Sequence, residues 1–391
     1  MQLFDSALQA ITTPLIFLMG ILVVFPLFKY FSISKKRGLA LFFWHAFFSF
    51  VYALYVLNFG GDALHYYRAS FNYEITPAFG TQGIVFFTSL FSVGLNLSLL
   101  GVFWVFHVFG VIGLLAFDGA LTEVTANKSR RIRQLATLII FLPSVSFWSS
   151  AIGKDSLSFM AMGLALWAAL KLNRRVVLMV IAILIMLFVR PHMAGMMVIG
   201  LAGSMVFQRK TSIIQRVVFG VAALAATAVL VPFGLNYAGV GEDASSEDIA
   251  SYIEGRQGEN LKGGSSLDIA SMNLPMKLFT YLFRPLPFEA NSIFALLASV
   301  DNIILLFLFF AGIRATLKKK LPAQFTTHNR MFLWIYCFVA WFILASTTAN
   351  LGIAMRQKWM FAPMLIFLLI SLIGKERKTM TVANTDIVNK I

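Results

Sequence analysis

The chain is a string of apolar segments, each roughly 15–22 residues long, joined by short polar connectors. In hydrocarbon every backbone N–H and C=O must be satisfied within the protein, and a helix does this within one segment. A chain built this way is expected to fold as an all-α, polytopic membrane protein. Composition agrees: hydrophobic residues make up 59%, mean hydropathy is +0.80 and only 13% of residues are charged. A soluble domain carries about twice that charge. The formal charge of +15 would suit nucleic acid, but the basic residues are spread over connectors rather than gathered on one domain, so no nucleic-acid partner is expected. The single Cys337 lies in an apolar run, which excludes a disulfide framework and a Cys-based metal site. Residues 1–28 carry Asp5 as their only charge and lack a basic n-region, so a cleavable signal peptide is not expected.

Candidate spans cover residues 12–31, 38–58, 97–117, 135–150, 156–171, 176–190, 193–207, 217–236, 293–313, 331–348 and 359–373, about eleven transmembrane helices. Pro143 is expected to kink the fourth. These form one transmembrane domain over residues 1–378, with loops at 59–96 and 238–292 and a tail at 379–391.

Alternate connectors hold 23 of the 32 basic residues, in groups such as Lys35-Lys36-Arg37, Arg130-Arg131 and Lys318-Lys319-Lys320. The positive-inside rule puts these connectors in the cytoplasm, the N-terminus outside and the C-terminus inside. Residues 81–94 are apolar enough for a further span, but a span there would invert every later basic cluster, so they are read as a helix lying in the outer interface. Residues 274–288 look similar. The longest outer connector, residues 238–274, is acidic and rich in Gly and Ser, with a short helix expected over 246–256. It suits a substrate lid or a solvated linker.

The remaining connectors hold the residues that can carry chemistry. Charges at a span end cost free energy unless they reach water, pair, or serve a ligand. Gly60-Gly61-Asp62-Ala63-Leu64-His65-Tyr66-Tyr67-Arg68 offers Asp62 as a general base, with His65 as an alternate and Tyr66 for binding. The bland alternative is that Asp62 caps the next helix and the tyrosines form an aromatic belt. Trp148-Ser149-Ser150-Ala151-Ile152-Gly153-Lys154-Asp155 places Lys154 to hold a phosphate and Asp155 to cap the following span, or the two to form a surface pair. Arg190-Pro191-His192 supplies a cation and a second alternate base in His192, although an arginine there can also snorkel. Phe283-Arg284-Pro285-Leu286-Pro287-Phe288-Glu289-Ala290 aims Arg284 from a rigid loop unless Glu289 neutralises it. Arg356 and Lys358 precede the last span, and Asp301 is expected to partner another span's cation. Lys154, Arg190, Arg284 and Arg356 together suit a diphosphate at headgroup level, with Tyr66 and Trp148 available to stack on sugars. The chain has no Walker A sequence, no buried run of acids within a span and no zinc-ligand spacing, so no cofactor is expected; Asp62 and Asp155 could hold a metal, but nothing requires one.

These motifs resemble those of the bacterial O-antigen and exopolysaccharide polymerases of the Wzy type, within the wider class of polytopic lipid-linked-sugar glycosyltransferases, GT-C-like in fold. The resemblance rests on Gly-Asp-x-x-x-Tyr at 61–66, Trp-Ser-x-x-x-x-Lys-Asp at 148–155, the Arg190-Pro191 and Phe283-Arg284-Pro285 turns, and Asn-x-Gly-x-x-x-Arg at 350–356. It implies glycosyl transfer at the outer face of a bacterial inner membrane, from an undecaprenyl diphosphate-linked glycan to a sugar hydroxyl on another lipid-linked repeat unit. The expected partners are that lipid-linked oligosaccharide, the bilayer, and a chain-length regulator and flippase of the same pathway. An O-antigen ligase, or a transporter or flippase of lipid-linked glycan, remains the alternative.

Overall fold

In the computed structural model the described residues are 2–72, 78–207, 272–290, 292–318, 329–348 and 350–374, with isolated helical positions between 214 and 228. They form fifteen α-helices and two short 3-10 turns: α1 Ala7–Tyr30, α2 Lys35–Phe59, α3 Asp62–Ala69, α4 Gly80–Ser92, α5 Leu99–Thr125, α6 Arg130–Ile140, α7 Pro143–Trp148, α8 Lys154–Leu170, α9 Leu172–Val189, α10 Pro191–Phe207, α11 Leu274–Phe283, α12 Ile293–Leu317, α13 Arg330–Thr347, α14 Leu351–Gln357 and α15 Ala362–Leu372. The expected span 217–236, the helix at 246–256 and the tail 379–391 lie outside or largely outside the described residues.

Among the described residues six helices are long and apolar enough to cross a bilayer, or up to seven if the bent pair α14–α15 is one span. Of the eleven expected, the span at 217–236 lies outside the described residues; the remaining differences have local causes. The 135–150 segment is broken into α6 and α7 at Phe141-Leu142, ahead of Pro143, whose ring fits the first turn of a new helix better than the middle of an old one. The segments at 156–171 and 193–207 form α8 and α10, each 17 residues long and below the length of a perpendicular crossing. The 359–373 segment holds only the 11-residue α15 as α-helix, bent by 64° from the helix over 351–360 that precedes it. The outward faces carry exposed Leu15, Leu18 and Leu22 on α1, Val177, Ile181 and Leu184 on α9, and Phe338 and Phe342 on α13. Apolar surface this continuous is what lipid-facing helices present.

Helix α5, capped by the Ser98 hydroxyl on Gly101 N–H, is the buried centre. It meets α8 so closely that a Cβ on Gly163 would lie 2.5 Å from the Gly113 carbonyl oxygen, the small-residue approach by which membrane helices pack. Two ends of the bundle separate by chemistry. At one, the Arg37 guanidinium donates two 2.7 Å bonds to Asp118, Lys128 donates to the Ser371 and Ile373 carbonyls, and Asn329 donates to the Ala169 carbonyl. This basic end holds the C-terminal ends of α5, α8 and α15. At the other end lie α3, α4 and the start of α8. Both ends of α4 stay there: Ser92 bonds Ser70 at 2.6 Å, and Gly83 abuts Phe188 near the end of α9. The interfacial reading of 81–94 agrees with this placement.

Residues 274–288 behave differently from a surface helix. The Leu278 carbonyl accepts from Trp341 Nε1, Tyr281 stacks on Phe361, and Tyr281, Leu282 and Phe283 are buried. Helix α11 therefore enters the bundle. Its C-terminal half, Phe-Thr-Tyr-Leu-Phe, has no polar face to lay on a headgroup layer. Helix α14 enters as well: the Tyr336 hydroxyl, midway along α13, donates to the Met360 carbonyl where α14 ends. Two segments from separate parts of the chain thus plunge into the bundle.

Candidate functional site

Helix α2 stops at Gly60 and Gly61, whose φ values of +75° and +131° favour glycine, and Asp62 opens α3. Helix α8 opens the same way, at Gly153 with φ +147°. There a Cβ would come 3.0 Å from the Tyr66 ring, so glycine is required both by conformation and by the approach of α3. Neither helix has a side-chain cap. The alternative that Asp62 caps its helix and the expectation that Asp155 caps the next span are therefore corrected: both carboxylates meet arginines instead.

Asp155 accepts from Arg190 Nη2 at 2.7 Å through Oδ1, and its Oδ2 lies 3.1 Å from Arg356 Nε. Asp62 Oδ2 accepts from Arg356 Nη1 at 2.7 Å. The four side chains form one chain, Asp62–Arg356–Asp155–Arg190, drawn from α3, α14, the first turn of α8 and the residue between α9 and α10. Exposure falls along it: the Asp62 side chain is 56% accessible, Arg356 23%, Asp155 18% and Arg190 10%. Both Nε atoms, of Arg190 and of Arg356, are buried donors without an aligned hydrogen-bond acceptor. An unsatisfied guanidinium N–H inside a protein is costly, and an oxyanion ligand relieves it.

Lys154 lies in the field of all four groups. Burial, then Arg190, lowers its pKa, and the carboxylates of Asp155 and Asp62 only partly offset them, leaving it at about 8. Burial and the same carboxylates push the Tyr66 phenol up to about 12, which makes it a hydrogen-bond donor rather than a base. Lys154, Arg190 and Arg356 against Asp62 and Asp155 sum to one net positive charge, and the positive ends of α3, α8 and α10 open beside them.

Other expected residues fall elsewhere. Arg284 is bound by Glu289 through Nε at 3.0 Å and Nη2 at 2.5 Å, and Glu289 also accepts from Leu286 N–H at 2.8 Å. Burial alone would raise the Glu289 pKa, but these contacts outweigh it and hold it below its ordinary value. Arg284 is thus neutralised locally, and three cations converge rather than the four expected. Trp148 packs edge-on against Tyr52 and Phe147. His65 is exposed beside Tyr66, with ring centroids 6.0 Å apart, and His192 is exposed on the first turn of α10. Tyr52, deep in α2, and Tyr281, on α11, both feel the charges of Asp155 and a neighbouring arginine. Sequence reasoning passed over them because each sits inside an apolar run. Tyr281 follows a polar Thr280 within its run, and that pair was a signal available beforehand.

Comparison of the chain with protein-family models, with curated proteins and with solved structures returns no match.

Proposed function

We propose that the protein is a multi-pass membrane glycosyltransferase that joins lipid-linked oligosaccharide units, with undecaprenyl diphosphate as the leaving group. The observation that carries this reading is the pair of arginines, Arg190 buried and Arg356 partly buried, whose Nε atoms are buried without an aligned acceptor and which share the single carboxylate of Asp155 at one end of a lipid-facing bundle. A departing diphosphate needs fixed positive charge in a low-dielectric setting, and arginine forks bind its oxygens bidentately. The basic bias of the opposite end supports placing the site at the outer leaflet of a bacterial inner membrane, with the N-terminus outside.

In the reaction an acceptor sugar hydroxyl attacks the anomeric carbon of the donor. The C–O bond to the diphosphate breaks, its electron pair leaves on the diphosphate, and the hydroxyl proton passes to a base. Asp62 suits the base, being the more exposed of the two carboxylates in the cluster and held by one arginine contact. Arg190 and Arg356 exchange carboxylate for phosphate oxygens on donor binding, and Lys154 adds a third charge. Glu289 holds Arg284 as a rigid wall of the turn.

The test is direct. A strain lacking the gene is expected to carry single repeat units in place of a ladder, and purified protein given a lipid-linked repeat unit is expected to lengthen it. A normal ladder and no chain growth reject the proposal. Loss of all decoration, single units included, points to a ligase, and retained growth with lost translocation in Arg190→Ala points to a transporter.

A further inference from the structure

Two residues beyond Arg356, Lys358 turns into the bundle and donates from Nζ to Asn302 Oδ1 on α12. The same Asn302 donates through Nδ2 to the Pro285 carbonyl at 2.8 Å, in the turn that follows α11. Asp301, next to it, has neither carboxylate oxygen hydrogen-bonded among the described residues. All three side chains are sealed, with exposures of 2% for Asp301, 0% for Asn302 and 1% for Lys358. Charges buried in a membrane bundle are expensive, and such groups are kept where they fix an arrangement that apolar packing leaves open.

We infer that Asn302 and Lys358 are a latch by which α12 holds both inward-plunging segments, and that they are positioning residues for Arg356. Helix α14 has other ties: two hold its ends, and between them a contact of neutral groups runs from the Thr348 hydroxyl to Gln357 Oε1 at 3.4 Å. Asn350 caps its start through Gly352 N–H, and the Tyr336 hydroxyl holds the Met360 carbonyl. Between those points lies one turn carrying Arg356 outward to Asp62 and Asp155 and Lys358 inward to Asn302. The rotation of that turn sets where the guanidinium sits. An ammonium locked on a side chain of α12 fixes the rotation, and the Asn302 amide, by engaging Pro285 as well, fixes the Arg284 turn in the same frame.

The positional claim stands on geometry, and its consequence for ligand binding rests on the function proposed above. Two readouts keep them apart, both on full-length protein in detergent: amide hydrogen exchange over 351–360, and binding of undecaprenyl diphosphate. Asn302→Leu and Lys358→Met are expected to speed exchange over 351–360 by about tenfold or more, because a bond to a charged group is lost from a locally opening unit. They are expected to weaken undecaprenyl diphosphate binding by a similar factor. Asn302→Asp keeps the acceptor for Lys358 and gives up the donor to Pro285, so exchange over 351–360 stays as in the wild type while residues 283–286 loosen; this variant also tests the latch should Asn302→Leu fail to fold. Wild-type exchange over 351–360 in Lys358→Met overturns the latch. Faster exchange with unchanged binding overturns the positioning of Arg356. Absence of binding by the wild type rejects the diphosphate reading, and the exchange result then decides the latch alone.

Discussion

Replacing Asp155 by alanine removes the carboxylate that touches both Arg190 and Arg356. Breaking a fully buried pair costs about 3–5 kcal/mol and an exposed one about 0–1, because the stranded charge loses its partner without regaining water. With the Asp155 side chain 18% accessible and its partners at 10% and 23%, the cost should fall between, at about 2–4 kcal/mol. The same substitution leaves three cations facing only Asp62. If the recess accommodates a diphosphate, the variant should be rescued by the anion that replaces the missing carboxylate. At a hundred times its dissociation constant a ligand adds about 2.7 kcal/mol, comparable to the loss. The assay is thermal unfolding in detergent, followed by tryptophan fluorescence, with inorganic pyrophosphate titrated against wild type and Asp155→Ala. The expected result is a lower Tm for the variant, recovered by pyrophosphate more strongly than in the wild type and not by chloride at matched ionic strength. Asp62→Ala, at the exposed end of the same chain, should move Tm little. A neutral Asp155→Ala, or a variant that pyrophosphate does not raise, refutes the reasoning that this carboxylate occupies an anion site.

Diphosphate binding should depend on pH through Lys154. Its depressed pKa, near 8, means the ammonium is present below that pH and lost as pH rises through it, so affinity should fall above pH 8. Titration of binding from pH 6.5 to 9.5 checks this, and Lys154→Met should flatten the profile. Because Arg284 is already satisfied by Glu289, Arg284→Ala should lower turnover far less than Arg190→Ala, for which roughly 10²–10³-fold is expected on losing one preorganised donor to a leaving group; equal losses in a chain-growth assay would contradict the division. Gly163→Ala puts a methyl 2.5 Å from the Gly113 carbonyl oxygen and should destabilise the α5–α8 contact by about 1–3 kcal/mol, read as a lower Tm. An unchanged Tm there would mean that the two helices separate easily.

The apolar period and the sorting of lysine and arginine determined by themselves that this is an all-helical membrane chain, because hydrocarbon imposes that pattern on any sequence it holds. They also located Asp62, Lys154, Asp155, Arg190 and Arg356, since a charged residue beside a span is visible one connector at a time. Which charges meet was decided only in three dimensions. Arg284 and Arg356 look alike in sequence, each a cation in a short connector near a proline or a span. One closes on Glu289 five residues away, and the other crosses 294 residues to reach Asp62. Hydropathy could not distinguish a helix that crosses from one that enters and stops, so α11 and α14 looked like a surface helix and a connector. Their depth follows from Trp341, Tyr336 and Asn302, polar atoms on neighbouring helices that offer partners within the bundle. A backbone can enter an apolar bundle without spanning it only where another segment supplies those partners, and that is a property of the packed structure rather than of any segment alone.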